Sequence, residues 1–407
     1  MKQPETTSLT VVSNFYETAP KTLDAVYIGS STTIKFWNSM LAWESFGITV
    51  QPLATNRNPV YTAADFIREA RKRQPDALFI VNLNTVSESL EAPTLRAVID
   101  SFPFSLQKLR LIKDMCDFDD RSLDERLQYV FPIIRYHTRW NELTTEDFSA
   151  PEIEHYKGAA ILRKTVDVSE NYHYSEKAGE LLPNQVAAID SVLDFCDREH
   201  VKVLFVVVPQ AKKGQKLESI NAVQKQVEEH GGYPVLDLFH DPEAIGLDLT
   251  CDFYDASHTN IHGSAKFTYY VSDYLIKNYG FTDKRGLEEY SSWDETLQSY
   301  NEEIASCFLD IEHIPFANTA YMSAPQITVE RVKKGIDVSW TESEGADGYL
   351  VYRKISSNAP YTLMLDTTDT HYSDPDEYRS FYIVVPYCGT DEREYGSFIR
   401  EGVRVAE

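Results

Sequence analysis

Short apolar segments alternate with helical patterns along the first 280 residues, and this alternation restricts the fold more than any other feature of the sequence. Five segments are predicted to be strands: 24–29 (DAVYIG), 48–53 (ITVQPL), 77–84 (ALFIVNLN), 201–209 (VKVLFVVVP) and 234–239 (PVLDLF). Apolar residues dominate both of their faces, which is typical of strands in a parallel sheet covered by helices on each side. The pattern predicts an α/β domain of three layers, α/β/α, around a mainly parallel five-stranded sheet.

The segments between these strands carry apolar residues at helical spacing. After the first strand, Ile34, Trp37 and Leu41 share one face, so we predict a helix here that ends at Gly47. Residues 101–181 are rich in charged and aromatic residues and break the alternation, and we interpret them as a helical insertion. Residues 280–320 are predicted to form a helical tail and a linker.

The pattern changes again near residue 321. Residues 321–407 contain short alternating segments such as GIDVSW, GYLVYRK and SFYIVVPY, separated by turn residues. Six or seven such segments in this length predict an all-β sandwich. Trp340, the GYLVYRK segment and Tyr382 resemble a fibronectin type III module. The chain is therefore predicted to have two domains, 1–320 and 321–407.

Charge and composition narrow the function classes. The chain has 39 Lys and Arg against 63 Asp and Glu, a net charge of −24, which argues against binding to nucleic acid or to anionic lipid. Its five cysteines form no CxxC or metal-ligand spacing, so neither a disulfide framework nor a zinc site is predicted. The sequence contains no run of 18 or more apolar residues, so no transmembrane segment is predicted. The first 21 residues lack a hydrophobic signal core. We therefore expect a cytoplasmic protein or a chain that lies downstream of an N-terminal anchor.

Polar side chains collect where the predicted strands end. Ser31 follows the first strand, Asn84 ends the third, and Asp255 and His258 follow the fifth. Ligands of parallel α/β sheets bind beyond the carboxyl ends of the strands, so these residues should share one edge. A serine hydroxyl needs a base to become a nucleophile. His258 can be that base if Asp255, three residues earlier, holds its Nδ1 while Nε2 faces Ser31.

These residues resemble the SGNH/GDSL hydrolase superfamily over about residues 20–280. The Gly-Asp-Ser block of that family is matched by Gly29-Ser30-Ser31, and its Asp-x-x-His block by Asp255-Ala256-Ser257-His258. Its Gly-x-Asn-Asp block is matched in part by Asn82-Leu83-Asn84-Thr85. The resemblance implies that Ser31 is the nucleophile, that Asp255 and His258 support it, and that Asn84 is an oxyanion donor. The family's second block supplies a glycine that is absent here, so a backbone N–H near Asn56 is the expected substitute.

The same resemblance implies a reaction and a setting. The Gly-Ser-Ser start and the DASHTNIHGSAKFT segment are most similar to an extracytoplasmic branch, whose members transfer D-alanyl groups to teichoic acids or add and remove acyl groups on surface polysaccharides. We expect a serine esterase or acyltransferase that acts on an acylated glycan or a small ester, with no metal or organic cofactor. A surface partner is expected for the sandwich. His137 and Arg139 could form a second part of the site, in which Arg139 grips an anionic group of the substrate.

Each of these residues also has a structural interpretation. Ser31 could cap the helix that follows the first strand, Asp255 could cap the turn after it, and His258 could be a surface loop residue. Asn84 could be a turn residue, and His137 and Arg139 could belong to an aromatic-rich structural helix. A protein that binds a glycan or a protein on a degenerate hydrolase fold is the alternative function. The missing glycine and the incomplete Asn block favour that alternative, whereas the serine, aspartate and histidine in the family's order favour catalysis.

Overall fold

The structure is a computed structural model that describes residues 6–86, 91–131, 156–162, 166–173, 175–211, 215–250, 252–308, 322–355, 361–375, 380–389, 393–396, 398–399 and 402–405. Its first part contains a sheet of five strands: β1 (Ala25–Gly29), β2 (Val50–Ala54), β3 (Leu78–Asn82), β4 (Val203–Val207) and β5 (Val235–Asp237). The order is β2-β1-β3-β4-β5, and all neighbouring pairs are parallel. Every residue of β1–β4 is buried, and the edge strand β5 is half-buried. The predicted α/β fold with a parallel sheet is therefore confirmed.

Helices connect and cover these strands within the described residues. They are α1 (Thr6–Glu17), α2 (Ser31–Phe36), α3 (Ser39–Phe46), α4 (Ala63–Arg71), α5 (Ala92–Ile99), α6 (Leu106–Phe118), α7 (Leu123–Val130), α8 (Pro183–Arg198), α9 (Gln215–His230), α10 (Ile261–Tyr279) and α11 (Ser291–Phe308). Short 3₁₀ turns occur at Val60–Thr62, Ser169–Asn171 and Glu288–Tyr290. Within the described part, no helix combines the length and the apolar character that crossing a bilayer requires.

The single helix predicted after β1 is wrong, because α2 and α3 are separate helices. The break falls at Trp37 and Asn38, between them. The Asn38 side chain accepts a hydrogen bond from Leu41 N (3.2 Å), and its backbone N–H donates to Thr268 Oγ1 (2.9 Å). An N-cap residue has non-helical backbone angles, so a helix cannot continue through Asn38. Apolar periodicity alone does not show such a break. The predicted end of α3 at Gly47 is confirmed by a left-handed φ of 68°.

The region predicted as a helical insertion, 101–181, is helical in its first part, where α6 and α7 lie. Residues 132–155, which include His137 and Arg139, lie outside the described residues. The segments 156–162 and 166–173 are irregular apart from one 3₁₀ turn and a β-bridge between Val166 and Phe253. In the predicted tail, the structure describes the helix α11.

The C-terminal part is an antiparallel β-sandwich, as predicted. Two short strands of the first part, β6 (Phe253–Asp255) and β7 (His258–Thr259), form a separate hairpin. One sheet of the sandwich contains β8 (Ile327–Arg331), β9 (Ile336–Trp340) and β12 (His371–Asp374). The other contains β10 (Gly348–Lys354), β11 (Thr362–Thr367), β13 (Phe381–Cys388), β14 (Glu394–Tyr395) and β15 (Val403–Arg404). Alternate residues of β9, β10 and β13 meet in a core that includes Trp340, Tyr349 and Tyr382.

We expect replacement of Trp340 by alanine to destabilise the sandwich. The Trp340 side chain is buried in this core, and its ring packs edge-on against Tyr349 at 5.7 Å. Truncation of a core tryptophan costs about 3–5 kcal/mol. Calorimetry of the full chain should show a sandwich transition at clearly lower temperature in Trp340→Ala, with little change in Val332→Ala, since Val332 is exposed. An unchanged transition in Trp340→Ala would contradict a packed role for this residue.

Candidate active site

Ser31 is the first residue of α2 and follows β1 after one intervening residue, Ser30. Ser30 caps the helix, since its Oγ accepts a hydrogen bond from Thr32 N (3.4 Å). Strand and helix meet closely here because residue 29 is glycine: a Cβ on Gly29 would lie 2.1 Å from Thr33 Oγ1. Ser30 is buried and Ser31 half-buried. The capping role considered for Ser31 is thus filled by its neighbour, and the Ser31 hydroxyl is available for another partner.

Asp255 and His258 lie at the two ends of a tight turn. The turn joins the short antiparallel strands β6 and β7, and Asp255 pairs with His258 across it. The backbone N–H of Ser257 donates to Asp255 Oδ1 (2.8 Å) and fixes the carboxylate within the turn. The next helix, α10, begins directly after the hairpin, and the Asn260 side chain accepts two backbone hydrogen bonds from its first turn. A capped helix therefore holds the hairpin in place.

The structure brings Ser31, His258 and Asp255 into one hydrogen-bonded chain. Ser31 Oγ lies 2.9 Å from His258 Nε2, and His258 Nδ1 lies 2.9 Å from each carboxylate oxygen of Asp255. A carboxylate can only accept, so Nδ1 carries the proton and Nε2 offers its lone pair to the serine hydroxyl. The side chains of His258 and Asp255 are 19% and 44% exposed, so the three residues can be reached from solvent.

The carboxylate is held in its charged form. Partial burial acts to raise the pKa of Asp255, but hydrogen bonds from the His258 ring and the Ser257 N–H outweigh it, and the pKa lies below its usual range. Asp255 is therefore ionised at neutral pH, where it can stabilise an imidazolium on His258. Because almost half of its surface meets water, solvent screens part of this effect.

The helix that carries Ser31 is bonded to the hairpin that carries His258. The last carbonyl groups of a helix have no intrahelical partners, and in α2 two of them accept side-chain hydroxyl groups. Thr259 Oγ1 donates to Lys35 O (2.7 Å), and Ser264 Oγ donates to Phe36 O (3.1 Å). Thr259 is fully buried and follows His258 directly. The distance between nucleophile and base is thus set by local bonds between the two elements.

Two substitutions at Thr259 should separate shape from hydrogen bonding. Thr259→Val keeps the branched shape but removes the bond to Lys35 O, so we expect a loss of about 1–3 kcal/mol in the free energy of unfolding. We also expect lower reactivity of Ser31, by up to about 10²-fold if the two elements shift by 1 Å. Thr259→Ser keeps the hydroxyl and should be affected less. Thermal melts and the rate of fluorophosphonate labelling measure both effects; equal reactivity of Thr259→Val and the wild type would show that this bond does not position the pair.

The two residues predicted to bind the oxyanion are bonded to other groups. Asn84 is fully buried, and its Nδ2 donates to Val208 O (2.8 Å) and to Gln210 Oε1 (3.1 Å), which engages both of its hydrogens. The backbone N–H of Asn56 donates to Ser8 Oγ (2.9 Å). Either group could contact an oxyanion only after one of these bonds breaks. Their predicted role therefore remains a prediction, and the structure shows a different use of both groups.

Sequence reasoning missed Gln210 and Thr259, which bond to the elements that carry the three residues. Gln210 lies directly after the predicted strand 201–209, at the same edge of the sheet as Ser31, so its position was a usable signal. For Thr259, the one signal in the sequence was its position next to His258. His137 and Arg139 lie outside the described residues, and their role stays a prediction.

No metal centre is indicated in the part of the chain that the structure describes, where no group of three or more His, Cys, Asp or Glu side chains is placed to hold an ion.

The sequence matches no protein-family model, and no curated protein is significantly similar to it.

Proposed function

We propose that this chain is a serine-dependent ester hydrolase or acyltransferase of the SGNH type, with Ser31 as nucleophile. The observation that carries the proposal is the chain of hydrogen bonds from Ser31 Oγ to His258 Nε2, and from His258 Nδ1 to the carboxylate of Asp255. The three residues come from two elements far apart in sequence, and their roles match those of a nucleophile, a base and a group that orients the base.

The reaction proceeds through an acyl-enzyme in this proposal. Ser31 Oγ attacks the ester carbonyl carbon while His258 Nε2 takes its proton, and a tetrahedral oxyanion forms. As the C–O bond to the leaving alcohol breaks, His258 returns the proton to that oxygen. Water or a sugar hydroxyl then attacks the acyl-Ser31 carbonyl while His258 takes its proton; the C–O bond to Ser31 Oγ breaks, and His258 returns the proton to that oxygen, which releases the acid or the new ester. Asp255 stays ionised throughout and stabilises the transient imidazolium.

The oxyanion needs hydrogen-bond donors where the charge develops. The backbone N–H of Ser31 is one candidate, because the first N–H groups of a helix have no intrahelical acceptor. Asn84 and the N–H of Asn56 remain the candidates from the resemblance, each with a bond to exchange first.

The substrate proposal rests on the family resemblance. An O-acyl group of the acetyl or D-alanyl type on a cell-surface glycan is the proposed substrate class, and an extracytoplasmic location follows from it. The partial exposure of His258 and Asp255 supports a substrate that approaches from solvent. The division of the sandwich into a sheet with β8, β9 and β12 and a second sheet around β10 and β13 supports the fibronectin-like assignment, and we propose that this module binds a surface partner.

Labelling with a fluorophosphonate probe tests the nucleophile directly. The probe phosphonylates serine hydroxyl groups that a base activates, so the folded wild type should be labelled and Ser31→Ala should not. Ser30→Ala is the matched control and should still be labelled, because Ser30 caps α2 and does not bond to His258. Heat-denatured wild type should lose labelling. Strong labelling of folded Ser31→Ala would assign the reactivity to another residue.

A glycan-binding protein on a hydrolase fold is the second candidate. The engaged amide of Asn84 and the engaged N–H of Asn56 favour it, because they leave fewer oxyanion donors than a hydrolase needs. This candidate predicts that the folded wild type resists the probe and fails to hydrolyse p-nitrophenyl acetate.

A further inference from the structure

The turn between Asp255 and His258 is tethered by the loop that follows β4. Both carbonyl groups of the two-residue turn accept hydrogen bonds from this loop: Ala256 O from Ala211 N (2.7 Å), and Ser257 O from Gln210 Nε2 (3.2 Å). The first is a backbone bond that any residue except proline could make at position 211. The second depends on the side chain of Gln210, which is buried, with only 2% of its surface exposed.

The other end of the Gln210 amide is held as firmly. Gln210 Oε1 accepts from Asn84 Nδ2 (3.1 Å), and Asn84 in turn exchanges two hydrogen bonds with the backbone of Val208, each 2.8 Å long. The backbone N–H of Asn84 also donates to Asn82 Oδ1 (2.8 Å). Asn84 is thus fixed between the ends of β3 and β4, and it presents a donor to Gln210.

The two hydrogen bonds of the Gln210 amide have a fixed order of donor and acceptor. Asn84 donates to Gln210, and Gln210 donates to the Ser257 carbonyl, so the amide of Gln210 cannot be reversed without losing both contacts. A relay of this kind sets the position of the turn relative to the carboxyl ends of two central strands. Since Ser31 lies at the end of the neighbouring strand β1, the position of the turn also sets where His258 meets Ser31.

We propose that Gln210 is a positioning residue that orients the Asp255–His258 pair toward Ser31, and that Asn84 supports Gln210 instead of contacting the oxyanion. The inference rests on the proposed function in so far as Ser31 is a nucleophile. Its geometric part, that Gln210 fixes the Asp255–His258 hydrogen bond, has a readout that needs no catalysis.

The first measurement is the rate of fluorophosphonate labelling of the full chain. Gln210→Met has a similar size and removes both hydrogen bonds, and we expect labelling slower by up to about 10²-fold, the effect of a shift of about 1 Å between reacting groups. Gln210→Glu keeps an acceptor for Asn84 but loses the donor to Ser257 O, so it should show a similar loss even if Gln210→Met folds poorly. The matched control is Gln224→Met, since Gln224 Nε2 donates to Glu228 Oε1 (3.0 Å) within α9 and, among the described residues, no hydrogen bond joins Gln224 to the turn.

The second measurement is the ring Nδ1–H resonance of His258 in protein labelled with ¹⁵N-histidine, assigned by its absence in His258→Ala. Gln210→Met and Gln210→Glu should shift or broaden this resonance, because the Nδ1–H···carboxylate bond loosens and exchanges faster with water. Gln224→Met should leave it unchanged. An unchanged resonance and unchanged labelling in a folded Gln210 variant would overturn the proposal. A lower melting temperature with both readouts unchanged would then show that Gln210 has a structural role alone.

A double variant separates the two roles of Asn84. Asn84→Asp still accepts from Val208 N but loses both bonds that Nδ2 donates, to Val208 O and to Gln210 Oε1. If Asn84 acts through Gln210, Asn84→Asp combined with Gln210→Met should be no slower than the slower single variant. If Asn84 contacts the oxyanion, the two losses should multiply, which would overturn its assignment as a support. If the wild type is neither labelled nor active, the proposed function fails, and the His258 resonance still decides whether Gln210 positions the pair.

Discussion

Replacement of Ser31 by alanine should lower kcat for p-nitrophenyl acetate by about 10³-fold or more, and His258→Ala should have an effect of similar size. The reason is that the hydroxyl and the base act as a unit, joined by the 2.9 Å bond between Ser31 Oγ and His258 Nε2. Losses within such a unit are far from additive. The Ser31→Ala/His258→Ala double variant should therefore be little slower than either single variant. Steady-state kinetics with thermal melts on the three proteins measure this.

Ser30→Ala is the control for position. Its side chain caps α2, so its loss should cost about 1 kcal/mol in the free energy of unfolding and leave most of the turnover. Ser31→Ala should show the reverse, with a nearly unchanged melting temperature. Equal losses of activity in the two variants, or full activity in folded Ser31→Ala, would remove Ser31 as the nucleophile.

The positions of the three catalytic candidates at one edge of the sheet could be predicted from the sequence, because this prediction needs only the strands and the residues that follow them. Strands that are apolar on both faces form a parallel sheet, and side chains that follow such strands meet at its carboxyl edge. Ser31 follows β1 after one residue, Ser30. Asp255 and His258 are three residues apart, and this short spacing leaves few geometries for the pair. Their meeting in the structure follows from these local facts.

The surroundings of Asn84 could not be predicted in this way. An asparagine at the end of a strand can turn its amide toward the open site or toward a neighbouring strand. Here it bonds to Val208 and Gln210, residues more than 120 positions away that become neighbours only when β3 and β4 pair. The break between α2 and α3 has a similar origin, since the Asn38 backbone bonds to Thr268 on a distant helix. Both cases depend on tertiary contacts that local patterns do not contain.

Asp255→Asn is expected to give the second large loss, smaller than that of Ser31→Ala. The substitution removes the charge that stabilises the imidazolium and replaces one of two oxygens near His258 Nδ1 with an NH₂ group, which favours the wrong ring tautomer. A fully buried triad aspartate is worth about 10⁴-fold in kcat. Since Asp255 is 44% exposed and water can replace part of its effect, we expect a loss of about 10²- to 10³-fold.

The chain provides a matched control in a second Asp-x-x-His segment, Asp237 to His240. There the Asp237 carboxylate contacts His240 Nδ1 at 2.6 Å, as in the candidate site, but His240 Nε2 faces the carbonyl oxygen of Ser175 (3.3 Å) and, among the described residues, bonds to no serine hydroxyl. Asp237→Asn makes the same chemical change next to a histidine that activates nothing, so it should leave kcat nearly unchanged.

The pH dependence separates the charge of Asp255 from a general loss of structure. Because hydrogen bonds keep the Asp255 carboxyl ionised well into the acid range, the acid-side loss of wild-type activity should follow protonation of the His258 ring. Without the carboxylate, an imidazolium gives up its proton more readily, so the acid limb of kcat/KM in Asp255→Asn should move to lower pH. In Asp237→Asn it should coincide with the wild type. If both variants lose activity equally, or if neither limb moves, Asp255 does not act on His258 in catalysis.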